Sequence, residues 1–165
     1  MKTNPLPPEE AKADALARLA DTGPGHIHCS QAVVRFTLLV QGHDPDLTTI
    51  GRYLGGGVVG MGETCGALTG AALALGLRDF HLPGGAPEIE PPTAERLQEL
   101  VREFNQKFGS RRCRDLTGMD LSTPDGMEKF FQSENPERCD GYISWMCDRL
   151  LPLLAAEAAT EASDA

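Results

Sequence analysis

The sequence predicts an all-α fold: a single-domain helical bundle of about six helices, with a glycine-rich connection before the central helix. Three observations predict it. Apolar residues recur at helical spacing through most of the chain. Strand-like alternation is nearly absent, and the helical stretches are punctuated by Gly, Pro and acidic cap residues. At 165 residues the chain can bury one real core, so its five cysteines are not needed to compensate for small size.

Pro8 to Ala20 reads as an amphipathic helix, with Glu9 and Glu10 early and Ala15, Leu16, Leu19 and Ala20 on its apolar side. Asp21-Thr22-Gly23-Pro24-Gly25 breaks it. Cys29 to Gln41 is the second helix, carrying Ala32, Val33, Phe36, Leu39 and Val40 at helical spacing, with Gly42 as its stop. Asp44-Pro45-Asp46 opens a short third helix running to about Leu54. Cys65 to Leu77 is the fourth. Its Gly66 and Gly70, four apart, weaken an isolated helix, so their presence implies close packing of the backbone against another element.

Asp79 to Pro92, rich in Pro and Gly, is expected to be a loop. Thr93 to Phe108 is a strong amphipathic helix ending at Gly109. Cys113 to Gly118 reads as a short helical turn, followed by an irregular connection containing Pro124 and Gly126. Asn135-Pro136-Glu137 starts the last helix, with Asn135 as cap, and Pro152 is expected to kink or end it. The organisation that follows is an N-terminal helix and linker over 1–25, a cysteine-bearing helical domain over 26–152, and a flexible acidic tail over 153–165.

The formal charge of −9 argues against nonspecific binding to nucleic acid or to anionic lipid. No apolar run approaches the roughly 20 residues of a membrane span, so no membrane insertion is expected. The first ten residues lack the apolar core of a signal peptide. The expected compartment is the cytoplasm, where dispersed cysteines are more often redox-active or ligands than structural disulfides.

Chemistry is therefore sought at the cysteines, which are Cys29, Cys65, Cys113, Cys139 and Cys147, with no CxxC among them. Cys65, in Cys65-Gly66-Ala67-Leu68-Thr69-Gly70, stands where the glycine-rich stretch becomes a helix. A thiol at a helix start can be acidified by the free amides and the dipole. The bland alternative is a buried packing position, common for free cysteine. Cys29 is a second helix-start cysteine, preceded by His26-Ile27-His28. His28 can act as cationic neighbour, proton shuttle or metal ligand, although a lone loop histidine is more often simply solvated.

Cys113 sits among Arg111, Arg112 and Arg114, which would stabilise a thiolate if they pointed inward and otherwise form a wet surface. Cys139 lies one turn into the last helix. Cys147, eight positions on and about 80° further round, reads as a core or groove residue beside Trp145 and Met146. Phosphate-loop, HExxH, serine-hydrolase-elbow and zinc-ribbon patterns are all missing.

Taken together, Cys29-Ser30-Gln31-Ala32-Val33, the glycine-rich approach, Cys65-Gly66-Ala67-Leu68-Thr69-Gly70, the Phe108-Gly109-Ser110 to Cys113-Arg114-Asp115-Leu116 junction and Arg138-Cys139-Asp140 resemble the C_GCAxxG_C_C family of redox-active proteins. The resemblance runs from about Cys29 to about Leu150. It implies a small bacterial or archaeal protein with four hallmark cysteines, here Cys29, Cys65, Cys113 and Cys139, often linked to transporter genes. The family name writes Gly-Cys-Ala where this chain has Cys65-Gly66-Ala67, and Cys147 is an addition to the pattern.

The main expectation is thiol–disulfide chemistry of these four cysteines, needing no cofactor and serving an unknown redox partner or a transporter-associated protein. In it Cys65 attacks, Cys29 resolves, His28 or Arg112 tunes the proton balance, and Cys113 with Cys139 forms a second pair or supporting site. Four cysteines allow three pairings, and sequence does not choose among them. The alternative is that the same four thiolates hold a metal ion or an iron–sulfur cluster for electron transfer, storage or sensing. A third possibility is a helical partner-binding module whose cysteines are incidental.

Overall fold

Helix α2, Cys29–Gln41, is the hub around which the chain is wound. Nine of its thirteen residues are buried, Ala32, Val33, Val34 and Leu38 completely, so it is apolar nearly all round, as an enclosed helix must be. Four elements pack against it: α1 (Pro8–Ala20), a 3-10 helix (Pro45–Leu54), α3 (Gly66–Arg78) and α7 (Asn135–Ala155). Helices α4 (Glu90–Phe108), α5 (Cys113–Thr117) and α6 (Pro124–Phe131) complete the set. The computed structural model describes residues 3–80 and 90–155, and among them no β-strand occurs. The all-α expectation holds, with eight helical elements among the described residues where about six were expected.

The extra and extended elements obey local rules that the sequence already carried. Segment 124–131, expected to be irregular, is helix α6. Thr123 caps it by accepting from the Gly126 amide at 3.0 Å, and Pro124 occupies the first turn, where an amide is not needed. Helix α4 begins at Glu90, with Pro91 and Pro92 in its first turn for the same reason. Most of the expected loop, 81–89, lies outside the described residues, as does the tail beyond Ala155. Pro152 does not stop α7, which continues to Ala155 and buries Leu154 beyond it.

Helices α1 and α3 each pack closely on α2 because both present small residues. Ala67, Ala71 and Ala74 of α3 and Ala11 and Ala15 of α1 are fully buried, which lets the helices approach closely. Between α4 and α7 an edge-to-face cluster of Phe104, Phe108, Tyr142 and Trp145 fills the wider gap, with ring centroids 4.8–5.8 Å apart. Arg78 closes the far end. Its guanidinium grips Asp79 through two bonds of 2.6 and 2.7 Å, donates to Thr93 Oγ1 of α4 at 2.7 Å and reaches the Leu153 carbonyl of α7 at 3.3 Å.

Candidate functional site

Cys29 is the first residue of α2, and its position is set by a polar clamp on the 3-10 helix. Ser30 Oγ donates to the Gly51 carbonyl at 2.7 Å, and Gln31 Nε2 to the Thr48 carbonyl at 3.3 Å. The His28 amide, just outside the helix, donates to Gln31 Oε1 at 3.0 Å and closes its first turn. Cys65 is the N-cap of α3 rather than a residue of its first turn. The glycines after it allow the contact that matters. A Cβ on Gly66 would overlap Cys29 Sγ and stand 2.8 Å from the Ser30 amide nitrogen, and one on Gly70 would stand 2.7 Å from the Ser30 carbonyl. The starts of α2 and α3 therefore lie against each other, bringing Cys29 and Cys65 together.

Cys113 is brought in by the backbone. Thr64 and Arg112 form an isolated antiparallel bridge. The Cys65 amide donates to the Arg111 carbonyl at 2.8 Å, the Cys113 amide to Glu63 at 2.7 Å and the Arg114 amide to Gly62 at 3.1 Å. Cys139 is fixed through the buried Asn135, whose Nδ2 donates to the Thr117 carbonyl at 2.9 Å and so ties the start of α7 to the end of α5.

All four of these cysteines line one cavity of about 510 Å³. Its walls are largely apolar, with Leu116, Tyr142 and Ile143 on one side and Met127, Phe130 and Phe131 of α6 on another. His26, His28, Arg52, Thr117 and Asp140 supply most of its polar groups. Cys147 is not among the lining residues. It is fully buried in the core, as its offset around α7 predicts.

The four thiols feel one another. The charges of Cys29, Cys113 and Cys139 all raise the pKa of Cys65, and that of Cys29 also raises those of Cys113 and Cys139. Burial is nonetheless the largest influence on every one of them. It pushes Cys65 well above the ordinary thiol range, Cys113 up to about 11 and Cys139 up to about 12. The expected acidification of Cys65 by its helix is therefore overturned, because desolvation and three neighbouring sulfurs outweigh the single amide, that of Ala67, that favours its thiolate. Cys29 is raised by burial too, but the amides of Gly56, Ser30 and Gly66 all favour its thiolate. The arginines around Cys113 face away: Arg112 pairs with Glu63 at 3.6 Å and Arg114 with Asp120 at 3.4 Å. His28 is held below its ordinary value by burial and by the positive charges of His26 and Arg52, so it is neutral near pH 7.

The glycine-rich approach forms another wall, and its backbone is unusual. Gly56, Gly57, Val58, Val59 and Gly60 are five successive residues with φ between 47° and 79°, one turn wound left-handed. For the two β-branched valines this conformation costs about 1–2 kcal/mol each. The turn is held by amides such as Val59 to the Tyr53 carbonyl at 3.0 Å and Glu63 to Gly57 at 3.0 Å. It carries the Gly56 amide to Cys29 and leaves the Val59 side chain on the cavity, 59% exposed.

Sequence reasoning missed this turn, the aromatic wall of α6 and Tyr53. The Thr123-Pro124 cap and the Phe130-Phe131 pair signalled α6, whereas nothing local signalled two left-handed valines.

Fold and site together define a helical protein with four dispersed thiols on one apolar cavity. The chain belongs to the C_GCAxxG_C_C family, since the family model described as "Putative redox-active protein (C_GCAxxG_C_C)" matches residues 27–152. No curated protein and no solved structure gives a match. All five cysteines are free thiols in the structure, and no helix among the described residues is long and apolar enough to cross a membrane.

Proposed function

We propose that the protein carries out thiol–disulfide exchange in the four-thiol cavity, with Cys29 as the attacking thiolate, Cys65 as its resolving partner, and Cys113 with Cys139 as a second pair. The observation that carries this reading is the convergence of four cysteines from four elements on one cavity, near enough for their charges to act on one another. The choice of Cys29 over Cys65 rests on its smaller burial and on the backbone amides, those of Gly56, Ser30 and Gly66 among them, that favour its thiolate. Mild oxidation followed by mass mapping of a non-reducing digest tests it. Disulfides among Cys29, Cys65, Cys113 and Cys139, with Cys147 still free, are expected; no intramolecular bond at any of the four sinks the reading.

The same convergence supports a second reading, a soft metal ion or an iron–sulfur cluster held by these four thiolates. Among the described residues no group of three or more Cys, His, Asp or Glu side chains stands at ligand geometry, so the sulfurs would have to draw inward around the guest. Metal analysis and a visible spectrum of anaerobically purified protein separate the two. Stoichiometric metal that is lost in Cys65→Ser favours the second.

A further inference from the structure

Resting on the thiol–disulfide reading above, we propose that the cavity takes a small, uncharged, apolar organic disulfide as its substrate, in place of a protein disulfide or a charged one. Cys65 and Cys113 are 6% and 7% exposed and Cys29 and Cys139 are half-buried, whereas Tyr53, Val59 and Phe131, which line the same cavity, are 71%, 59% and 58% exposed. The cysteines thus lie deeper than the apolar rim of their cavity. A molecule that fits inside about 510 Å³ passes that rim whole, whereas a disulfide on a folded partner's surface meets the exposed rim first.

An exposed apolar rim continuous with an apolar cavity is a ligand entrance rather than ordinary surface. A carboxylate or ammonium group on the ligand would be desolvated against Val59, Leu121, Met127 and Phe130, with charged partners only at His26, Arg52 and Asp140. Uncharged aromatic or aliphatic substituents suffer no such penalty, and the rings of Tyr53, Phe130, Phe131 and Tyr142 offer them faces and edges.

The exchange balances within the cavity. Cys29 thiolate attacks one sulfur of the ligand; a Cys29–ligand S–S bond forms, the ligand's own S–S bond breaks, and its other half leaves as a thiolate that takes up the proton Cys29 lost. Cys65 then attacks Cys29 Sγ, the Cys29–Cys65 bond forms, and the second half leaves as a thiol with the proton from Cys65. The protein dithiol is oxidised by two electrons and the ligand disulfide is reduced by two.

The test compares three disulfide probes on the full reduced chain: neutral aromatic dithiodipyridine, dianionic dithiobis(nitrobenzoate) and dicationic cystamine. Each rate is divided by that of the urea-unfolded chain, which removes intrinsic reactivity. The neutral probe is expected to exceed both charged ones by about tenfold, the factor that burying two or so methylenes' worth of apolar surface supplies. Equal ratios, or cystamine fastest through attraction to the acidic chain, overturn the proposal. Phe131→Asp is expected to abolish the neutral probe's advantage, with Tyr53→Ser as the substitute if that variant does not fold. An advantage that survives in the folded variant also overturns it. Disulfides that form with no preference among probes reject this substrate class alone; no disulfide with any probe rejects the thiol–disulfide reading itself.

Discussion

Cys29 and Cys65 stand side by side and are treated differently by their surroundings. Cys65 is buried and Cys29 half-buried, and four backbone amides, its own included, favour the Cys29 thiolate, whereas the Ala67 amide favours that of Cys65. At this scale burial raises a thiol's pKa and backbone N–H groups lower it, so a place at a helix start does not by itself decide which sulfur ionises more readily. A pKa of about 11 leaves Cys113 with about a hundredfold less thiolate at neutral pH than a thiol of ordinary value 9.0. Alkylation by iodoacetamide, followed residue by residue in the mass spectrometer, should therefore be strongly suppressed at pH 8 relative to the unfolded chain. Its rate should keep rising beyond pH 9, with Cys29 modified before Cys65. A plateau below pH 8 at Cys65 would show that burial does not control these thiols.

Helix α3 shows how one residue type has opposite effects along a single element. Gly70 faces α2, where a methyl group would sit 2.7 Å from the Ser30 carbonyl and 2.9 Å from Val33 Cβ. Gly76, near the other end, is exposed, and a methyl group there would meet nothing within 4 Å. Gly70→Ala is expected to lose about 1–3 kcal/mol through overpacking, more than the helix gains from alanine. Gly76→Ala is expected to gain about 0.5–1 kcal/mol. Urea unfolding at constant slope reads both, and the same sign for the two would mean that α2 and α3 are not in close contact. Here the element's geometry follows from its smallest residues, and so does the meeting of Cys29 with Cys65.

Across the whole molecule, the buried thiols couple stability to pH. Their pKa values are raised on folding, so the folded chain holds protons that the unfolded chain releases from about pH 9 upward. Their contribution is full below pH 9 and is lost as pH rises toward 12. Tyr142, raised chiefly by burial, and Lys12, raised chiefly by its hydrogen bond to Asp148, act in the same direction. The thermal midpoint should thus fall steadily between pH 9 and 12, and Cys113→Ala with Cys139→Ala should flatten that fall whatever it does to the midpoint at pH 8. An unchanged slope in the double variant would place the alkaline transition elsewhere.

By itself the sequence determined the all-α class, most of the helices and the family, because helical periodicity, caps and the Cys-Gly-Ala signature are local and written in adjacent residues. The bounds of α1 and α2 could be read directly from Pro8, Asp21, Cys29 and Gly42. Only the tertiary structure decided how burial and backbone amides bear on each thiol, that the arginines near Cys113 turn outward, and that Gly56 to Gly60 wind left-handed beside the cysteine cavity. It also placed α6 as the aromatic wall of their cavity. Each of these depends on contacts between residues tens of positions apart, where desolvation and packing outweigh the local preferences that a sequence displays.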